Sequence, residues 1–141
     1  MKKVYVGEPW FVINKDTVGD DWFNFCDIVD SNNGEIIYYK NYKMFVMKTN
    51  NSDGVYELKD KLGNVVCDLS IETGLLCIFD TYSVKDENLD LSYGFVLDIE
   101  EFDDKNIYLS DDSEILHIGD YFCNTSCYAE SYKEDADIVN D

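Results

Sequence analysis

Three side chains near the C-terminal end of the sequence, His117, Cys123 and Cys127, are of the types that bind zinc or perform nucleophilic catalysis. A structural zinc ion needs four ligands, so Cys67 or Cys77 would have to complete the set. A nucleophile would need His117 beside a thiol or a hydroxyl group, whereas apolar residues flank His117 in the sequence. Buried, unreactive cysteines are the alternative. The spacing therefore predicts no bound metal and no cofactor. The alternative is a small metal-binding protein or an enzyme that uses His117, Cys123 and Cys127.

Carboxylates are far more abundant than any other reactive group. The chain has 30 Asp and Glu residues against 11 bases, all of them lysine, which gives a net charge of −19. A protein with this charge repels nucleic acids and anionic membranes and attracts basic surfaces. The sequence contains no glycine-rich phosphate loop, zinc-protease helix motif or nucleophile elbow. These observations predict a non-enzymatic protein with a basic protein partner and without direct binding to nucleic acid or membrane.

The negative charge is concentrated in the second part of the chain. Residues 1–85 hold 13 acids and 9 lysines, whereas residues 86–141 hold 17 acids and 2 lysines. Alternate residues on one strand face repeat at about 6.6–6.8 Å, similar to the spacing of phosphates along a nucleic acid strand. One interpretation is a single outward surface that imitates a nucleic acid, and the other is a solvated face that only maintains solubility. The candidate partner-binding residues are Asp98, Glu100, Glu101, Asp103, Asp104, Asp111, Asp112 and Glu114.

The mimicry interpretation predicts an inhibitor that occupies the basic nucleic-acid-binding surface of another macromolecule. Its concrete form is a phage-encoded inhibitor of a host defence effector of the CRISPR or restriction type. An immunity or antitoxin-like protein that masks a basic toxin uses the same electrostatics and stays an alternative. An odd set of five cysteines and the absence of a signal-peptide pattern indicate reduced thiols and a cytoplasmic location.

The elements that must position these residues are mostly strands. Between Asp53 and Asp80, short apolar runs alternate with glycine and asparagine turns, which is typical of a β-meander with strands at 55–59, 65–71 and 75–80. Residues 35–49 predict two further strands with a turn near Asn41, and 4–13 predict a strand, a kink at Pro9 and a second strand. Residues 93–102 alternate as a half-buried strand, residues 106–109 and 114–118 predict two more, and 120–127 is ambiguous.

Residues 20–29 predict the helix, because Trp22, Phe25, Cys26 and Val29 recur at helical spacing. The resulting fold class is mainly β, a single-domain antiparallel sheet or sandwich with this one short helix. We expect one domain at residues 1–127 and an acidic C-terminal tail at residues 128–141.

The first part of the chain resembles a group of small phage and bacterial proteins. In that group a Gly-Asp-Pro-Cys-Tyr opening precedes a tryptophan, a Gly-Asp-Gly-x-Tyr segment and an Asp-(Ser/Thr)-Gly segment. The matching positions are Gly7-Glu8-Pro9-Trp10-Phe11, Trp22, Ser52-Asp53-Gly54-Val55-Tyr56 and Glu72-Thr73-Gly74. This chain departs from the pattern of the group at Glu8, Trp10, Ser52 and Glu72. The resemblance covers about the first 80 residues. It implies a compact, mostly β domain in a phage or prophage setting and implies no activity.

Four acidic residues within the first 80 positions recur near predicted turns: Glu8, Asp53, Glu72 and Asp80. They either converge into one site or stabilise separate turns, and the sequence leaves both interpretations open.

Overall fold

A computed structural model describes residues 1–10, 20–39, 42–81 and 94–132 of the chain. Within these residues the fold has one complete helix and ten strands, and residues 130–132 are also helical. The helix is α1 (Asp20–Ser31). The strands are β1 (Lys2–Gly7), β2 (Glu35–Tyr39), β3 (Tyr42–Lys48), β4 (Gly54–Lys59), β5 (Val65–Ile71), β6 (Leu75–Asp80), β7 (Gly94–Ile99), β8 (Ile107–Leu109), β9 (Ile115–Ile118) and β10 (Tyr121–Asn124).

The strands form two antiparallel five-stranded sheets. Sheet 1 has the order β2-β3-β6-β1-β7, and sheet 2 has the order β5-β4-β10-β9-β8. The two sheets share one apolar core, as the faces of a sandwich do. The predicted mainly β class with a single short helix is confirmed.

The core between the sheets follows from the alternation of side chains along each strand. Val4 and Val6 of β1 face sheet 2, and Leu58 of β4 and Leu116 of β9 face sheet 1. The alternation predicted for residues 93–102 is also confirmed, since Leu97 is buried in this core while Val96 and Asp98 are exposed. Burial of these branched and aromatic side chains is the main force that holds the two sheets together.

Helix α1 covers the outer face of sheet 1 and makes a second core. Trp22, Phe25 and Val29 of the helix pack against side chains that alternate with those of the first core, such as Tyr5 and Phe79. The helical spacing in the sequence places these three residues on one face, which confirms the helix prediction. The molecule therefore has three layers in the order helix, sheet 1, sheet 2.

Strand β6 does not continue a meander, which corrects one expectation. Strands β4 and β5 pair as a hairpin, but β6 leaves sheet 2 and pairs with β1 and β3 in the middle of sheet 1. All six residues of β6 are buried. The physical reason is that Leu75–Asp80 is apolar at nearly every position, so it is stable only where both of its faces are covered.

The other predicted strands match β2, β3, β8 and β9, and the ambiguous segment at 120–127 contains β10. The turn at Asn41 and the second strand predicted up to Ile13 lie outside the described residues. The division into a domain at 1–127 and a tail at 128–141 stays a prediction. Its first two tail residues pack on the sandwich: Ala129 is fully buried, and its backbone N–H donates to Val55 O at 2.7 Å. No helix in the described parts of the chain is long and apolar enough to cross a membrane.

Candidate acidic interface

The loops between the strands form two opposite ends of the sandwich, and the surroundings of the acidic residues differ between these ends. We call the end with the loops at 49–53, 72–74, 110–114 and 125–128 the turn end. The opposite end has the loops at 60–64, 100–106 and 119–120 and the start of β1, and we call it the lysine end. The registers define both ends, since Gly54 pairs with Ile71 at the turn end and Lys2 pairs with Ile99 at the lysine end.

The loop at 49–53 joins both sheets at the turn end. The Thr49 backbone N–H donates to Gly74 O at 2.9 Å, which fixes this loop to the turn between β5 and β6. The Asn50 side-chain amide donates to Ser113 O at 2.8 Å, which fixes the same loop to the turn between β8 and β9. Hydrogen bonds therefore hold three separate turns together as one continuous surface.

A second set of hydrogen bonds closes this surface from the C-terminal side. The backbone N–H of Thr125 donates to Glu114 O at 2.8 Å, and the Asn51 side-chain amide donates to Ser126 O at 2.6 Å. The Tyr128 hydroxyl donates to Asn51 O at 2.8 Å. The polar groups of these turns are paired with one another, so the surface has a defined shape.

Five exposed carboxylates lie on the turn end: Asp53, Glu72, Asp111, Asp112 and Glu114. The segments that form this end, 49–54, 71–75, 110–114 and 124–128, contain no lysine, and Lys48, which pairs with Leu75 beside them, forms an ion pair with Asp30. Within the described residues none of these five carboxylates lies within 4 Å of a basic group. The turn end is therefore a surface of uncompensated negative charge drawn from both halves of the sequence.

Asp112 both carries charge and holds its own turn. Its Oδ1 accepts hydrogen bonds from the Ser110 hydroxyl and, at 3.1 Å, from the Glu114 backbone N–H. These hydrogen bonds, with the one from Ser110 the largest cause, hold the pKa of Asp112 below its ordinary value. The carboxylate at this position consequently stays ionised well into the acidic range.

Glu8 places a further carboxylate beneath the turn end, where it is fully buried. Its Oε1 accepts from the backbone N–H groups of Glu72 at 3.0 Å and Thr73 at 2.6 Å, and its Oε2 accepts from the Thr73 hydroxyl at 2.9 Å. Burial raises the pKa of Glu8, and the hydrogen bonds from Thr73 and Glu72 partly offset this rise. The Glu8 side chain thereby holds the turn at residues 72–74 in place.

Of the four acids near predicted turns, Glu8, Asp53 and Glu72 come together at the turn end. Asp80 does not, because it ends β6 at the lysine end, where the Lys2 ammonium lies 3.7 Å from its carboxylate. Sequence reasoning did not place Asp53 and Glu72 among the candidate partner-binding residues. The signal that marks them is their position beside Gly54 and Thr73-Gly74, in the turns that connect the two sheets.

The predicted partner-binding residues divide between the two ends. Asp111, Asp112 and Glu114 follow β8 at the turn end, whereas Asp103 and Asp104 precede β8 at the lysine end. Because the strand separates the two groups, they do not form the single outward surface that the sequence suggested. Asp98, Glu100 and Glu101, in β7 and directly after it, belong to the lysine end.

At the lysine end the carboxylates are interleaved with bases. The Lys3 ammonium lies 3.3 Å from Asp98 Oδ1, directly across from it in the β1–β7 register. Asp103 Oδ1 accepts from the backbone N–H groups of Lys105 and Asn106, and hydrogen bonds from Asn106 are the main cause that lowers the pKa of Asp103. The described lysines on or beside this end are Lys2, Lys3, Lys43, Lys59, Lys61 and Lys105. This end is consequently a mixed-charge surface.

The structure does not bring the candidate zinc ligands together. His117 pairs with Phe122 on the outer face of sheet 2, whereas Cys123 pairs with Leu116 on the inner face, within the core. Burial raises the pKa of Cys123 to about 12, so its thiol is neutral and unreactive. Among the described residues no group of three His, Cys, Asp or Glu side chains is arranged to hold a metal ion. A site built jointly from His117, Cys123 and Cys127 is therefore excluded by the position of the first two on opposite faces.

Comparison with protein-family models, with curated proteins and with solved structures finds no match for this chain.

Proposed function

We propose that the protein binds the basic surface of another macromolecule through the turn end and thereby excludes that surface from nucleic acid. The observation that carries the proposal is the set of five exposed carboxylates on three hydrogen-bonded turns without a lysine. A rigid array of negative charges meets a basic groove as a nucleic acid backbone does, and it steers association over long distances. The net charge of −19 adds to this steering.

The partner in its concrete form is a nucleic-acid-binding defence effector of the CRISPR or restriction type, with this chain as a phage-encoded inhibitor. The phage setting comes from the resemblance of residues 7–11, 22, 52–56 and 72–74 to small phage and bacterial proteins. An antitoxin-like protein that masks a basic toxin fits the same surface. The two functions differ in the activity of the partner, which the experiment below identifies.

The test compares two variants with equal net charge. The turn-end variant carries Asp53→Asn, Glu72→Gln, Asp111→Asn and Glu114→Gln, and retains Asp112 because its carboxylate holds the turn. The lysine-end variant carries Glu100→Gln, Glu101→Gln, Asp104→Asn and Asp120→Asn. Each variant removes four of the 30 acids, so net charge alone cannot explain a difference between them.

Each immobilised protein is exposed to a bacterial lysate at about 50 mM salt and washed at about 200 mM salt or with excess duplex DNA. The wild-type protein is expected to retain nucleic-acid-binding proteins, or a basic toxin, that both salt and DNA displace. The turn-end variant loses these proteins and the lysine-end variant keeps them. The proposal is contradicted if excess DNA does not displace the retained proteins, or if both variants lose these proteins equally.

A further inference from the structure

A small pocket opens on the outer face of sheet 2, beside the turn end. Its volume is about 200 Å³, and its lining includes Glu57 and Lys59 of β4, Phe122 and Asn124 of β10, and Tyr128 and Glu130 of the C-terminal segment. Small-molecule sites usually enclose about 300–1,000 Å³, so this pocket has room for one long side chain rather than a complete ligand. It lies on the sheet face opposite the core, where partners can reach it.

The chemistry of the lining matches a planar cation. The Phe122 ring offers an aromatic face that attracts a guanidinium group, and the Glu57 carboxylate and the Asn124 amide oxygen can accept its N–H groups. A guanidinium group uses both features at once, because it stacks on rings and donates hydrogen bonds from its edge. Lys59, which pairs with Phe122 across the strands, is the only base that lines the pocket among the described residues, and it opposes the binding of a cation.

Tyr128 connects this pocket to the turn end. Its hydroxyl donates to Asn51 O at 2.8 Å and lies 3.3 Å from Asp53 O, so a residue that lines the pocket also anchors the loop that carries the Asp53 carboxylate. The Tyr128 ring is itself held against the buried Tyr56 ring, with their centroids 5.6 Å apart. The pocket and the acidic surface are therefore adjacent parts of one rigid region.

We infer that this pocket accepts an arginine side chain of the basic partner, as a second contact beside the acidic surface. The inference rests on the proposed function, because the partner is the same basic protein. The acidic turn end attracts any positively charged surface, whereas the pocket selects a partner with an arginine at the right distance from its basic groove. The pocket thereby adds specificity, because electrostatic attraction alone does not distinguish one basic protein from another.

The test uses N-acetyl-arginine amide as the probe and follows backbone amide resonances of the isotope-labelled protein. N-acetyl-citrulline amide, which has the same shape without the charge, is the matched control ligand. Saturable shifts from the arginine probe are expected at Glu57, Phe122, Asn124 and Tyr128, with none from citrulline. Phe122→Leu and Glu57→Gln are each expected to weaken binding about fivefold, and Lys59→Gln to strengthen it about twofold. Tyr108→Leu, on the same sheet face outside the pocket, leaves binding unchanged.

Three results would each overturn the inference. The citrulline probe could cause equal shifts, the arginine probe could shift residues at all carboxylates of the surface, or Phe122→Leu and Lys59→Gln could both leave binding unchanged. The result is independent of the lysate experiment. If the probe does not bind the pocket while the turn-end variant still loses its partner, the pocket inference is wrong and the proposed function stands. If the probe binds the pocket while both charge variants keep all partners, the proposed function is wrong and the pocket remains a site for cationic side chains.

Discussion

Glu8 joins two parts of the chain that are far apart in sequence. It follows β1, and its carboxylate accepts three hydrogen bonds from Glu72 and Thr73, in the turn that leads from sheet 2 back to sheet 1. Burying a charged group is costly unless hydrogen bonds compensate it, and here backbone and hydroxyl donors do so. The side chain thereby fixes one of the three turns of the acidic surface.

We predict that Glu8→Ala lowers the free energy of unfolding by about 3 kcal/mol, since it leaves three part-buried donors without this acceptor. Glu8→Gln should cost less, because its amide oxygen still accepts from the two backbone N–H groups. Urea denaturation of both variants checks the order. An alanine variant as stable as the glutamine variant would show that these hydrogen bonds contribute little.

The pH dependence of stability follows from the same side chain. Because burial raises the pKa of Glu8 above its ordinary value of 4.5, the folded protein binds this proton more tightly than the unfolded chain does. The stability that Glu8 contributes is therefore full at pH values below 4.5 and declines as the pH rises through the raised value. In denaturation series over this range, wild type should lose stability relative to Glu8→Gln as the pH increases. A relative gain of the wild type would contradict the raised pKa.

The sequence allowed only part of this site to be predicted at the residue level. Charge density alone marked Asp111, Asp112 and Glu114, which the structure places together on an exposed turn. The density of acids also marked Glu100 and Glu101. A count of acids along the sequence cannot show that Lys2, Lys3 and Lys43, from distant strands, lie at the same end of the molecule. The contact of Glu8 with Thr73 spans 65 positions, and no local pattern encodes such a pairing.

Among the elements, strand existence was predictable and strand pairing was not. The alternation of apolar residues identified β7, and Gly and Asn turns delimited β4 and β5, because these signals are local. The choice of partner for β6 depends on which sheet can cover both of its faces. The short connection from β5 favoured a meander, but the unbroken apolar content of β6 is stable only where both of its faces are buried, and this decided the outcome.

The C-terminal segment is attached to β4 at Gly54, which gives a prediction for this element. A Cβ atom at Gly54 would lie 2.2 Å from Cε1 of Tyr128, so Gly54→Ala must displace the ring. We expect a loss of about 2 kcal/mol in the free energy of unfolding, as for other overpacked sites. The loss should be much smaller when Tyr128→Ala is already present, and urea denaturation of the double-mutant cycle measures the difference.

An equal cost of Gly54→Ala in both backgrounds would show that the Tyr128 ring does not occupy this position. Gly63→Ala is the control for backbone strain alone. Gly63 also has a positive φ of 88°, but no atom lies within 4 Å of its Cβ position. Its cost should be the same with and without Tyr128.

At the scale of the whole molecule, the unequal ends produce an uneven electrostatic cost of folding. Like charges at the turn end repel one another, whereas several carboxylates at the lysine end have a nearby base, such as Lys3 beside Asp98. The high net charge keeps molecules apart in solution and at the same time opposes the compact state. The same charge that makes the turn end suitable for a basic partner therefore destabilises the free protein.

We predict that the protein gains thermal stability when salt rises from about 0.01 M to about 0.1 M, because the Debye length falls from about 30 Å to about 10 Å. At low salt the turn-end variant should melt at a higher temperature than the lysine-end variant, although both carry the same net charge. Calorimetry at the two salt concentrations checks both statements. Identical melting temperatures of the two variants would mean that the position of the charges does not matter.

The place of β1 between β6 and β7 in sheet 1 has a consequence for how this chain is made. Val4 has its two cross-strand partners at Asp80 and Leu97, so β1 is synthesised before either of the strands with which it pairs. Pairings over such distances form slowly, and an unpaired apolar strand is exposed to aggregation in the meantime. A nascent chain that stops before Leu97 lacks a neighbour on one side of β1. Truncated products of this gene should therefore accumulate as insoluble material rather than as a smaller folded domain.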